Sequence, residues 1–218
     1  MKNPFDNFDE IYCINMDSQP DRWEKCLDEF KKVGIEDRVE RFSAIVPDKS
    51  PRRPITKGEL GCNLSHKEII TSARDRGLKN IFIFEDDIKF DGYTHDIFNT
   101  GLDDLQNHIG EEWRTINMGV TIGSPPRKVT DNLYEIFKHG ATHAYGVNSK
   151  WFSVIIDKLN NISRRKNIRL DLFYSNCISG KYLIYPITAW QHANLSNITG
   201  ENRDGTAIMK RGLERYIT

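Results

Sequence analysis

Ile81-Phe82-Ile83-Phe84 runs without interruption into Glu85-Asp86-Asp87, followed by Ile88. Four bulky apolar residues in a row predict a strand buried on both faces, as in a parallel sheet. Three adjacent carboxylates repel one another and lose hydration unless a cation or donors compensate. Strand alternation predicts that Glu85 and Asp87 point one way and Asp86 the other. In open α/β sheets, ligands bind at the carboxyl ends of the strands. A divalent metal carrying phosphates suits such a position, because hard cations prefer carboxylate and phosphate oxygens. The competing interpretation is that the acids cap the next turn or solvate a strand end.

The segments before this run alternate strand and helix. Ile11–Ile14 reads as a first strand, and Asn15 to Pro20 as a turn. A helix from about Asp21 places Trp23, Cys26, Leu27, Phe30 and Val33 at helical spacing, with Gly34 as its stop. Val39 to Ile45 is a second strand, and the proline-rich stretch through Arg52 and Arg53 is a loop. Thr56-x-x-Glu59 is a capping box opening a helix to about Arg76. Strand–helix–strand–helix–strand predicts a parallel sheet flanked by helices. Further strands are expected at Thr115–Met118, Leu133–Phe137, Thr142–Val147 and Tyr182–Tyr185. Ser149 is a candidate helix cap, and Asp171 to Ile178 a late helix.

Lys plus Arg equals Asp plus Glu, so the net charge of zero points to no polyanionic partner such as a nucleic acid. The opening Met1-Lys2-Asn3-Pro4 lacks the apolar core of a signal peptide, and no apolar run has membrane-spanning length. Cys13, Cys26, Cys62 and Cys177 form no CxxC pair and read as reduced core cysteines. A cytoplasmic protein, at most peripheral to a membrane, is the expectation.

Several positions bear chemistry. Asn15 to Arg22 lies where a nucleotide would enter, and Arg22 has the reach for a diphosphate or for plain solvent. No Gly-x-Gly-x-x-Gly or Gly-x-x-x-x-Gly-Lys is present, which argues against a dinucleotide oxidoreductase and a P-loop enzyme. The glycines of Gly58-Glu59-Leu60-Gly61 imply close backbone approach or a cap. Glu59, Asn63 and His66 share a helical face, either as a polar wall of a sugar pocket or as a capped helix with a core histidine. His143 and Tyr145 lie in a strand of small residues beside a possible cleft. Asp171 is a general base with a raised pKa or a helix N-cap, and His192, after Gln191, a metal ligand or a surface imidazole.

Taken in order, these pieces resemble glycosyltransferase family 25, which includes lipooligosaccharide galactosyltransferases and collagen hydroxylysine galactosyltransferases. Ile11 to Met16 with Arg22 is similar to the family's Val-Ile-Asn-Leu…Asp-Arg opening. Gly58 to His66 is similar to its Gly-Glu-x-Gly-Cys-x-x-Ser-His signature, and Glu85 to Ile88 to its Glu-Asp-Asp-Ile. Thr142 to Tyr145, Asp171, and Gln191 with Ser196 and Ile198 resemble later elements, although Asn197 replaces an acid. The resemblance implies a GT-A (Rossmann-like) α/β fold with a mixed, mostly parallel sheet. Residues 1–90 would form a nucleotide-binding half and 91–218 an acceptor half. It implies a UDP-sugar donor, a glycan or protein hydroxyl acceptor, a Mn2+ or Mg2+ ion, and inversion at the anomeric carbon. The metal falls to Asp87, with Glu85 and His192; the donor to Asn15, Arg22, Glu59, Asn63, His66, Glu85 and Asp86. His143, Tyr145 and Gln191 would line the acceptor or donor pocket, and Asp171 would act as base. Two alternatives stand beside this: an inactive sugar-nucleotide or glycan-binding module, and a haloacid dehalogenase-like phosphohydrolase, whose nucleophilic Asp would fall on Glu85.

Overall fold

The computed structural model describes residues 2–49, 55–165, 168–192, 194–195 and 202–217. Arg52, Arg53, Ser196, Asn197 and Ile198 lie outside the described residues. The first half contains β1 (Glu10–Asn15), α1 (Pro20–Val33), β2 (Val39–Ser43), α2 (Lys57–Asp75) and β3 (Asn80–Glu85). Then come β4 (Ile88–Phe90), α3 (His95–His108), β5 (Thr115–Asn117), β6 (Thr121–Ile122) and β7 (Arg127–Lys128). The second half holds β8 (Leu133–Glu135), β9 (His139–Gly140), β10 (Ala144–Asn148), α4 (Phe152–Arg165) and α5 (Leu170–Cys177). It closes with β11 (Lys181–Ile184), β12 (Ala189–Gln191), β13 (Asn194–Leu195), β14 (Asn202–Arg203) and α6 (Gly205–Tyr216).

Eight strands form one sheet in the order β2-β1-β3-β10-β5-β11-β8-β7. The opening alternation gives the expected parallel ladders of β1 with β2 and β3. The sheet is mixed: β10 and β8 run against the other six strands. β3 therefore has a parallel neighbour on one side and an antiparallel one on the other. Its four apolar residues are fully buried, as the uninterrupted run requires. Phe82 and Phe84 pack with α1 and α3 through Phe30, Phe98 and Leu105. Ile81 and Ile83 face α2, α4 and α5 through Ile69, Ile155 and Phe173. Each buried side chain of this size contributes about 1.5–3 kcal/mol, which holds the strand end at a fixed place.

The helix signals act locally as their chemistry dictates. Gly34 adopts φ 67°, and its N–H bonds Lys31 O to end α1. Thr56 and Glu59 form the reciprocal capping box that starts α2. Two caps differ from expectation. Asn148, not Ser149, receives the Lys150 N–H in the turn before α4. Arg169 stands at the cap position of α5, so Asp171 lies inside the first helical turn instead of capping it.

Close backbone approach explains Gly61. A Cβ there would stand 2.5 Å from Ile45 O. Ser65 Oγ accepts from Ile45 N and donates to Gly61 O, each at 2.8 Å, so the chain after β2 is docked directly on α2. Helix propensity alone favours Gly61→Ala by about 1 kcal/mol. The clash outweighs it, so we expect a net loss of about 1–2 kcal/mol in urea unfolding; equal or greater stability would refute the docking.

Candidate active site

β1 and β3 end side by side, and a cavity of about 710 Å³ opens at their carboxyl ends. Its walls come from the segment Ala44–Pro47, the start of α2, the acidic turn, Thr142, the start of α5, and Gln191 with His192. The strand stops at Glu85, and Asp86 and Asp87 form a turn. Side-chain alternation ends with it, so all three carboxylates line the one cavity, contrary to the expected split.

Each acid is tied to a different piece of chain. Glu85 Oε1 accepts from Thr142 Oγ1 at 2.7 Å and lies 3.4 Å from His66 Nε2. Burial raises its pKa, but His66 and Thr142 outweigh burial, and the group sits below the usual glutamate value. Asp86 pairs with Arg22 at 2.5 Å and accepts from Asn15 Nδ2 at 2.8 Å. Burial nonetheless leaves its pKa raised. Asp87 Oδ2 accepts from Gln191 Nε2 at 3.0 Å, while its buried Oδ1 has no partner. Burial and the charge of Glu85 push Asp87 up to about 7. An unpaired buried carboxylate oxygen among like charges is the electrostatic setting a cation relieves.

Asp171 lies in the same cavity wall, where burial raises its pKa against the pull of Arg169. Its Oδ1 accepts from Leu172 N at 2.7 Å, and Arg169 stands 3.4 Å away. Glu59 and Asn63 also line the cavity, although Glu59 caps α2 and Asn63 Nδ2 donates to Ile168 O.

Three expected pocket residues lie behind the wall instead. Asn15 is buried and orients Asp86, while its Oδ1 accepts from Arg41. His143 is fully buried beside Ala189 O, at 3.1 Å from its Nε2. Tyr145 is buried too, and its hydroxyl meets His66 Nδ1 at 2.8 Å and Tyr174 at 3.3 Å. The central strand β10 is buried on both faces, so Tyr145 does not reach the opening, and His143, one residue before it, is buried as well. His192 lines the cavity and its backbone N–H donates to Asp87 O at 2.7 Å, while its Nε2 lies 3.4 Å from Glu29 Oε1. Cys62 and Thr142 are cavity residues that sequence reasoning missed as site residues. The four-residue spacing of Cys62 to His66 on one helix was the available signal.

A mixed sheet with helices on both faces and an acidic turn at a central strand end defines an α/β protein with a ligand cavity at its strand ends. A family model described as "Glycosyltransferase family 25 (LPS biosynthesis protein)" matches residues 8–120. The chain belongs to glycosyltransferase family 25. Procollagen galactosyltransferase 1-A of Xenopus laevis is 30% identical over 131 residues, covering 52% of this chain and 21% of that protein. Inactive glycosyltransferase 25 family member 3 of Homo sapiens is 32% identical over 133 residues, covering 51% and 22%. The matched stretch thus spans about a fifth of the length of these relatives. The crystal structure of a glycosyltransferase involved in glycosylation of the major capsid of PBCV-1 aligns at TM-score 0.46 and 8% identity, covering 76% of this chain and 72% of that one. Among the described residues, no helix is long and apolar enough to cross a membrane.

Proposed function

We propose that this chain transfers a hexose, galactose or glucose, from a UDP-sugar to a hydroxyl acceptor with inversion. The observation that carries the proposal is the buried, unpartnered Oδ1 of Asp87 in a cavity shared with Glu85, Asp86 and Asp171. The oxygen-rich turn fits a hard divalent ion, Mn2+ or Mg2+, held by Asp87 with Asp86 or Glu85 in support. Such an ion, when bound, neutralises the diphosphate and stabilises departing UDP. Arg22 adds a guanidinium at the same wall, shared with Asp86.

Asp171 accepts the proton of the acceptor hydroxyl as that oxygen bonds to the anomeric carbon. The bond from that carbon to the UDP oxygen breaks, and its electron pair leaves with UDP. A carboxylate whose pKa burial has raised is a stronger base than one in water. The name of the galactosyltransferase relative supports galactose as donor sugar.

Donor hydrolysis measured across UDP-galactose, UDP-glucose and UDP-N-acetyl sugars should show one preferred hexose. That signal should vanish in chelator and return with manganese. The inactive human relative keeps an inactive binding module as the second reading. UDP binding without hydrolysis or transfer over a broad acceptor panel would establish that reading instead.

A further inference from the structure

Cys62, His66 and Glu85 each offer a ligand atom, and these three atoms all lie within 4.8 Å of one another. Among the described residues, this is the cluster of His, Cys, Asp and Glu that meets so closely; Asp86 and Asp87 are not in it. We propose that Cys62, His66 and Glu85 bind a borderline-soft divalent cation of the zinc class, distinct from the hard cation assigned to Asp87, which then takes its support from Asp86.

The geometry comes from two elements. Cys62 and His66 are four residues apart on α2 and so share one face, the spacing that lets two side chains of a helix converge on one ion. Glu85 ends β3 and approaches them from the neighbouring strand end. Two ligands bound to zinc at about 2.0–2.1 Å in a tetrahedron stand about 3.3 Å apart. His66 Nε2 and Glu85 Oε1 are already 3.4 Å apart. Closing the thiol onto them needs movement on the order of 1 Å.

The imidazole supplies the second observation. His66 is fully buried, and its Nε2, directed at the cluster, makes no well-formed hydrogen bond and faces Glu85 Oε1 at 3.4 Å. A buried polar nitrogen held only by so long a contact is under-satisfied, which coordination would relieve. Nδ1 is engaged by the Tyr145 hydroxyl at 2.8 Å, the outer contact that fixes ring orientation around a metal-bound histidine. One sulfur, one nitrogen and one oxygen select zinc or cobalt over magnesium or manganese. All three residues line the cavity, so the fourth position would open onto it.

The test uses the full chain, stripped with chelator and titrated with Co2+ or Zn2+ alone. Cobalt should produce a near-ultraviolet thiolate charge-transfer band. Cys62→Ser should abolish it and weaken zinc binding at least ten-fold, although Cys13, Cys26 and Cys177 remain. Asp87→Asn should retain the band, which separates this site from the donor-metal reading. Absence of the band in wild type, or its persistence in Cys62→Ser, overturns the proposal. If Cys62→Ser does not fold, Tyr145→Phe decides: roughly ten-fold weaker zinc binding supports the site, and unchanged affinity overturns it.

Discussion

Asp87→Asn should lower hexose transfer by roughly 10³-fold or more while leaving the circular dichroism spectrum unchanged. The substitution keeps the shape of the side chain but removes the charge that a hard cation needs. Folding is protected because Asp87 lies in a turn, and the apolar packing of β3 ends at Phe84. The same variant has a pH signature in chelator. Folded Asp87 titrates near 7, against about 3.9 for an unfolded aspartate. The folded state therefore holds this proton more tightly, and wild-type stability declines as pH rises from about 4 to about 7. Asparagine removes that decline, so the variant gains on wild type by roughly 1–4 kcal/mol across the window and no further above it. Urea unfolding at successive pH values reads the difference. Transfer at wild-type rate would end the metal role, and parallel stability curves would end the electrostatic account.

The second large effect concerns the base. Asp171→Asn should reduce kcat by about 10²–10⁴-fold, with UDP affinity little changed. Asparagine can still accept the Leu172 N–H at the start of α5, so the helix keeps its first turn. In wild type the acid limb of the pH–rate profile should report a group above the ordinary aspartate range, since burial raises Asp171. Below that value the carboxyl is protonated and cannot take the acceptor's proton; above it, activity reaches a plateau. The variant should lose that limb. A kcat within a few-fold of wild type would transfer the base role to another group.

Much of the scaffold was legible because apolar run length and helix punctuation are local signals. Ile11–Ile14, the helix closed by Gly34, the Thr56 capping box and Ile81–Phe84 all needed only their neighbours. What stayed hidden depended on where a strand stops or on contacts distant in sequence. Glu85 and Asp87 were expected on one face and Asp86 on the other, because alternation was carried two residues past the strand end. His143 and Tyr145 were placed in a pocket, yet the antiparallel pairing of β10 with β3 sinks Tyr145 into the core, and His143, just before β10, is buried beside Ala189 O. Nothing local announces that pairing. Cys62 was assigned to the core by its apolar company, and only the approach of Glu85 reveals its polar setting.

The strand order has one consequence for modularity. Residues 8–120, which carry the family match, include β3 and β5, yet these strands never touch each other. β10, drawn from beyond that stretch, is wedged between them and hydrogen-bonds to both. Thr142, Gln191 and Asp171 also come from outside it. The recognisable half of the chain is therefore no self-sufficient unit: its sheet is interrupted until later sequence fills the gap.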